Sequence, residues 1–406
     1  MAAFALLADW CKTNRRPLPI AVTVDHGLRE ASAGEAKQVA KWIGKLGARH
    51  ETLIWCGDKP SGNVQAAARG ARYRLIGEWA QARKIATLVT GHTLDDQAET
   101  FLLRLARGSG LEGLSGMAAL APFPLRGFEG LSLARPLLGL SHARLVATLQ
   151  ARCQSWIEDP SNASSRYERA RLRQSKPELE ALGLTSERLA QTTVHLRRAM
   201  EVVDDAVTVL LERAVQVSPW GYALVRAREF AAARREVALR ALARLLAAIG
   251  GELYAPRFEA LEAVCTWLGE SDGKGRTLGG CRLARRSEGA VLIAREESAI
   301  SAEPVPLKAG DSSIWDGRFR VVLRQGGPFE LRGLGAKGLA LADPAADLPP
   351  LEPRLIAKTT PALWTGGRLA HAPLLKYSAV EAARAHVSVE FLGLAKGKGA
   401  AKGNGL

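Results

Sequence analysis

Three short β-rich runs, each followed by an amphipathic stretch, alternate between residues 18 and 107, and this alternation restricts the first part of the chain to a parallel sheet covered by helices. Leu18 to Val24 is a β-rich run ending in Asp25-His26-Gly27, and Ser32-x-x-Glu35 reads as a capping box opening a helix with Val39, Ile43 and Leu46 on one face. Thr52 to Trp55 gives a second strand, Val64 to Arg83 a second helix, Ile85 to Thr90 a third strand and Leu94 to Arg107 a third helix ended by Gly108. The expected fold class is α/β, a doubly wound parallel sheet whose ligands bind beyond the carboxyl ends of the strands, where Asp25 and His92 both fall. Residues 2–11 read as a helix with Phe4, Leu7 and Cys11 turned inward, yet no strand precedes it. In such sheets the turn between the first strand and first helix commonly cradles phosphate, so this chain is expected to begin just after its own nucleotide loop.

From about residue 177 the character becomes helical and Arg-rich. Leu224 to Leu246 carries Arg226, Arg228, Arg234, Arg235, Arg240 and Arg244 among Ala and Leu, and Pro256 starts a further helix to about Leu268. Short strands follow around Arg282 to Arg285 and Val291 to Ala294. Beyond a linker near Ser298 to Pro306, Trp315, Phe319 to Leu323 and Pro361 to Trp364 suggest a small α+β region. The expected domains are 1–176 (lacking its first strand and phosphate loop), 177–297 (helical) and 307–394 (small, C-terminal, α+β), with 395–406 a disordered basic tail.

Composition narrows the function classes. With 56 Lys and Arg against 41 Asp and Glu the formal charge is +15, which suits a polyanionic partner, nucleic acid first, although charge alone serves solubility equally well. Charges break every apolar run well before a membrane-spanning length, and the apolar N-terminus makes a poor secretory signal because no basic residue precedes it and Asp9 follows. Five cysteines without a C-x-x-C pair argue against a disulfide framework or a zinc or iron-sulfur site, so the expected location is the cytoplasm, and the Asn162-Ala163-Ser164 glycosylation pattern is read as chance.

The densest polar cluster is His92-x-x-Asp95-Asp96-Gln97-x-Glu99-Thr100, followed by Arg104 and Arg107. Asp96 and Glu99 form an i, i+3 carboxylate pair that could hold magnesium or a substrate ammonium; acids also favour a helix N-terminus for its dipole alone. Asp25-His26-Gly27 joins a strand to a helix, where Asp and Gly serve turn geometry as readily as a ligand. Gln65, Arg69 and Arg72 make a polar stripe for which a solvated face is the usual explanation. Gly108-x-Gly110-x-x-Gly113 follows a helix instead of a strand, so it is read as a flexible loop and not as a dinucleotide fingerprint. Arg166, Arg169, Arg171, Arg173 and Lys176, with Tyr167 interleaved, could contact RNA or form a solvated basic linker.

In order and spacing, Val24-Asp25-His26-Gly27-Leu28-Arg29, Gln65-x3-Arg69-x2-Arg72-Tyr73, Gly91-His92-x2-Asp95-Asp96-Gln97-x-Glu99-Thr100, Leu103-Arg104-Leu105-x-Arg107-Gly108-Ser109-Gly110, Arg135-Pro136-Leu137 and Trp156-x2-Asp159-Pro160-Ser161-Asn162 resemble the tRNA(Ile)-lysidine synthetases. The resemblance covers roughly residues 1 to 176 and is looser beyond them; it implies a catalytic domain in 1–176, tRNA or substrate binding by 177–297 and tRNA binding by 307–394. It implies an N-type ATP pyrophosphatase fold, adenine-nucleotide α-hydrolase-like, with ATP and Mg2+. The activity implied is attachment of L-lysine to the first anticodon cytidine of an isoleucine tRNA with a CAU anticodon. It implies lysine or magnesium binding for Asp96 and Glu99, adenylate contacts for His92 and Arg72, nucleotide binding at the adjoining strand end for Asp25, His26 and Gly27, and RNA contacts for Arg104, Arg107, Arg166, Arg169, Arg171 and Arg173. Rival readings are a tRNA thiolase of the same superfamily, which needs reactive cysteines, and a catalytically inactive tRNA-binding protein. A homodimer is left open. The Ser-Gly-Gly-x-Asp-Ser loop that such a family places before its first helix has no counterpart, and Met1 stands just beyond its place. The expectation is a natural chain that starts upstream of Met1 and carries the activity.

Overall fold

The computed structural model describes residues 1–27, 31–57, 64–125, 127–128, 130–158, 168–252, 256–270, 274–301, 303–342, 348–379 and 385–394. Leu28, Arg29, residues 159–167 with Arg166 and Tyr167, the tail 395–406 and the side chain of Gln65 lie outside the described residues. Contacts divide the chain into two compact units, Met1–Met200 and Glu201–Leu406.

In chain order the first unit contains α1 (Ala2–Thr13), β1 (Ala21–Asp25), α2 (Ser32–Lys45), β2 (His50–Ile54), α3 (Val64–Ala82), β3 (Thr87–Val89), α4 (Leu94–Ala106) and α5 (Leu111–Leu114). After them come β4 (Leu120–Pro122), β5 (Ser132–Ala134), α6 (His142–Ala151), α7 (Glu168–Gln174), α8 (Lys176–Ala181) and the start of α9 (Ser186–Ala214). The parallel sheet expected from the sequence takes the form of two parallel pairs. β1 runs beside β2, and β3 beside β5, with β4 an antiparallel edge on β5. One cluster built on α3 serves both: Trp79 and Ala80 pack with Phe123 and Leu131, and Val22, Leu53 and Leu88 join from β1, β2 and β3.

Local details correct the sequence reading. Ser32 lies inside α2 instead of capping it, and its hydroxyl donates to Asp25 Oδ1 at 2.7 Å, because a strand-end carboxylate next to the helix start is the better acceptor. In α1 the buried stripe is Ala2, Ala5, Ala8 and Cys11, with Phe4 and Leu7 only half-buried; small residues on that face let α1 approach α6, where Leu145 and Leu149 pack with Ala2.

The stretch expected as a flexible loop is instead stitched down. Arg104 donates to the Gly113 carbonyl, Arg197 to those of Ser115 and Gly116, and Arg135 to that of Ala118. The buried Gln97 amide both donates to Met117 O and accepts from Met117 N. Gly116 is required here, since its φ is 63° and an added Cβ would stand 2.8 Å from Gln97 Oε1.

The second unit opens with a five-stranded antiparallel sheet in the order Val215–Ser218, Tyr222–Arg226, Ala290–Arg295, Cys281–Arg285, Arg276–Leu278. Leu242, Leu245 and Ile249 of the helix Arg235–Gly250 and Trp267 and Leu268 of the helix Phe258–Gly269 bury against Val225, Leu283 and Ile293. The sequence reading of a helix from Leu224 is corrected, because Tyr222, Ala223 and Val225 are buried in a strand and the helical pattern starts only at Ala227. Two further antiparallel sheets follow, one from Val305–Leu307 to Tyr377–Ser378 and one of Ser312–Trp315, Phe319–Gln325 and His386–Phe391. Arg295 and Arg318 share the carboxylate of Asp316, all three side chains being at most 5% exposed. Burial pushes the Arg318 guanidinium down to about 10, against the opposing pull of Asp316. Asp316→Asn keeps the shape and tolerates the φ of 51° but leaves two buried guanidinium groups without a counter-charge. It is expected to cost about 3–5 kcal/mol in chemical denaturation, whereas a loss under about 1 kcal/mol would show that the triad contributes little.

Candidate active site

Two groups of polar side chains lie at the carboxyl ends of β1 and β3. At β1, Asp25 Oδ1 accepts from the Gly27 amide at 2.8 Å and from Ser32, forming a turn in which Gly27 adopts a φ of 57°. His26 meets the edge of Trp55, and Arg72 on α3 donates through Nε and Nη2 to His26 Nε2 at 3.2 and 3.0 Å. Arginine offers only donors, so the imidazole accepts on Nε2 and is neutral in this pairing.

The second group is built on the start of α4. Thr93 caps that helix and Asp96 closes a capping box: Oδ2 accepts from the Thr93 amide and hydroxyl, each at 2.8 Å, while the Asp96 amide donates to Thr93 Oγ1 at 3.3 Å. The neighbouring Asp95 reaches outward. Its Oδ2 accepts from the His142 amide at 2.7 Å, and its Oδ1 from Lys176 Nζ at 2.9 Å and Ser186 Oγ at 3.1 Å. Burial opposes ionisation of Asp95, but those donors hold its carboxyl below the ordinary range. A turn further along, Glu99 is buried and forked by Arg173, Nε to Oε1 at 2.6 Å and Nη2 to Oε2 at 3.2 Å.

His92, just before the cap, is half-buried with Nδ1 2.8 Å from Thr90 Oγ1. Burial lowers its pKa, Asp96 opposes that, and the guanidinium groups of Arg135, Arg169 and Arg69 add to it. Arg69 also acts on Arg104 and Arg135, both of which burial already depresses. Three arginines, Arg69, Arg135 and Arg169, therefore act electrostatically on one neutral imidazole, which suits an anion. Among the described residues no three His, Cys, Asp or Glu side chains cluster to hold a metal ion, and Glu99 spends both oxygens on Arg173. Asp96 and Glu99 as placed do not fit a magnesium site.

Of the residues expected from the sequence, His92, Asp96, Glu99, Arg169 and Arg173 share the α4 group, while Asp25, His26, Gly27 and Arg72 share the β1 group. Arg104 points its Nη1 at the Gly113 carbonyl at 2.6 Å, and exposed Arg107 pairs with Glu168. Arg171 is exposed on α7, and Arg166 lies outside the described residues. Arg69 and Arg135 were not named as site residues by the sequence. Arg69 belonged to the stripe read as a solvated face; its side chain is exposed and acts electrostatically on His92.

A family of PP-loop domains matches residues 1–179. The tRNA(Ile)-lysidine synthase of Ruegeria pomeroyi is 39% identical over 356 residues, covering 87% of this chain and 80% of that relative. The chain belongs to the tRNA(Ile)-lysidine synthase family. Its counterpart in Wolbachia pipientis is 35% identical over 77% of this chain and 72% of its own length, and that in Methylobacterium nodulans 46% identical over 61% and 72%. The U34-tRNA thiolase NcsA of Methanococcus maripaludis, with its [4Fe-4S] cluster, is similar at a TM-score of 0.40 and 14% identity over 49% of this chain and 69% of its own. For a member of the lysidine synthase family, the PP-loop match makes the first unit an adenine-nucleotide α-hydrolase-like α/β domain, and no helix among the described residues is long and apolar enough to cross a membrane.

The depressed pKa of His92 has a measurable sign. The folded state favours the neutral ring, so the stability it contributes is complete above its ordinary value of 6.5 and is lost as the pH falls through that value toward the folded one. In urea unfolding, the wild type is expected to lose more stability than His92→Gln between about pH 7.5 and about pH 5.5. Parallel losses in the two proteins would show that His92 does not titrate differently on folding.

Proposed function

We propose that this chain joins L-lysine to the first anticodon cytidine of an isoleucine tRNA with a CAU anticodon, forming lysidine at the expense of ATP. The observation that carries the reading is the convergence of His92, Asp96, Glu99 and the Arg69, Arg135 and Arg169 cations on the opening turns of α4, within a chain of this family. In the first step the cytidine 2-carbonyl oxygen attacks the ATP α-phosphorus and pyrophosphate leaves. In the second the lysine ε-amine attacks C2 of the activated base, AMP leaves with the C2–O bond electrons, and the amine gives up a proton.

The residues divide the work by charge. Arg69, Arg135 and Arg169 face the negative charge of the transferring phosphate, where preorganised cations lower the barrier. His92, neutral in this setting, hydrogen-bonds the adenylate and can take the proton that the amine sheds. Arg72, steadied by His26, joins the adenylate contacts at the end of β1 with Asp25 and Gly27. Glu99, with Asp96 beside it, orients the lysine ammonium. Arg107, Arg171 and the basic second unit meet RNA phosphates. A thiolase reading is less supported: Cys11, Cys265 and Cys281 are buried, burial pushes the Cys281 thiol up to about 12, and the exposed Cys56 and Cys153 belong to no C-x-x-C pair.

The test incubates the protein with ATP, labelled lysine and an unmodified isoleucine tRNA transcript, and follows label in RNA together with AMP. The expected result is lysine-dependent labelling confined to the CAU cytidine and lost in Glu99→Gln. RNA that stays unlabelled while ATP is consumed would overturn the assignment.

A further inference from the structure

The carboxylates on the opening turns of α4 are already held by cations from one short segment. Arg173 forks Glu99, whose side chain is 9% exposed, and three residues later Lys176 meets Asp95 at 2.9 Å. The internal partners thus imitate the substrate of the proposed reaction, an ammonium group. A free ammonium competes poorly with such a fork. The guanidinium makes two parallel charge-assisted hydrogen bonds where an ammonium is a point charge, and its tether supplies it at high effective concentration. As it stands, Glu99 is closed to lysine.

The same segment has a reason to let go. The Arg173 side chain is 42% exposed, and a guanidinium forks a phosphate in the same bidentate geometry as a carboxylate. Arg169, one turn before it on α7, lies exposed within electrostatic reach of His92, so a phosphate at the cation cluster sits beside the helix that carries Arg173. The other end of α7 has its own tie to α4, through Arg107 and Glu168, which does not involve the fork.

We propose that Arg173 couples the two substrates: it holds Glu99 shut against the lysine ε-ammonium until a phosphate group, brought by RNA or by nucleotide, draws the guanidinium away. The inference rests on the lysine reading above. It gives the reaction an order, in which the nucleophile's site opens only once the group to be attacked is present, and by reciprocity bound lysine tightens the phosphate ligand by the same factor. Arg173 is a positioning residue in this scheme, acting through Glu99.

Equilibrium binding of labelled L-lysine tests it, in wild type and Arg173→Met, each alone, with unmodified isoleucine tRNA and with a non-hydrolysable ATP analogue. Wild type is expected to bind lysine weakly alone and on the order of tenfold more tightly with a phosphate ligand; the arm that produces the gain identifies the source of the phosphate. Arg173→Met is expected to bind lysine tightly from the start and to lose the coupling. A melting curve checks that this variant folds, and Arg173→Lys, which keeps the charge but loses the fork, is expected to fall between the two and carries the test if it does not. Lysine affinity that is the same with and without phosphate ligands in the wild type, or no tighter in the folded variant, overturns the coupling and leaves the lysine reading intact. If lysine binds in no arm of either protein, the lysine reading itself falls, and the coupling with it.

Discussion

The carboxylate of Asp95 is the knot on which the first unit depends. Through two oxygens it accepts from the amide of His142 at the start of α6, the ammonium of Lys176 at the start of α8 and the hydroxyl of Ser186 at the start of α9. Three helices that are distant in sequence are thereby referred to the first turn of α4, the turn that also presents Asp96 and, one turn on, Glu99. Burial alone would favour the neutral acid, so the donors must outweigh it, and they do: the carboxyl stays below its ordinary value of 3.8. The stability this contributes is present above that value and fades as the pH falls through the folded one.

Adjacent acids on this helix have separate tasks because a helix turns about 100° per residue. Asp95 points to neighbouring helices, Asp96 turns back to close the cap on Thr93, and Glu99 faces α7. The dipole explanation for acids at a helix start therefore accounts for part of Asp96, whose Oδ2 is committed to the cap, but not for Asp95 or Glu99, which reach across to other elements.

The same division applies to the cations. A charge of +15 suggests a surface given over to polyanions, yet many arginines are spent internally. Arg104 and Arg197 hold carbonyls of residues 113–116, Arg244 pairs with Asp204, and Arg295 and Arg318 enclose Asp316. What is left for a ligand in the first unit is a smaller set, Arg69 and Arg169 among them, and its value lies in where it is placed and not in its number.

The sequence by itself determined the β/α alternation of the first unit, the placement of Asp25 and His92 at strand ends and the gathering of Asp96 and Glu99 on one helix, because side-chain periodicity and helix punctuation are local properties. It could not show that Ser32 would serve Asp25 while Thr93 capped α4, since both lie at helix starts with an acid three residues on, and the choice turns on which acceptor the packing brings near. Nor could it pair Glu99 with Arg173 or bring Arg69 and Arg135 toward His92. Those interactions join residues 74, 23 and 43 positions apart (173 − 99, 92 − 69 and 135 − 92). Electrostatic and hydrogen-bond energies depend on distances of a few ångströms that only the packing of α3, α4 and α7 around the strands decides.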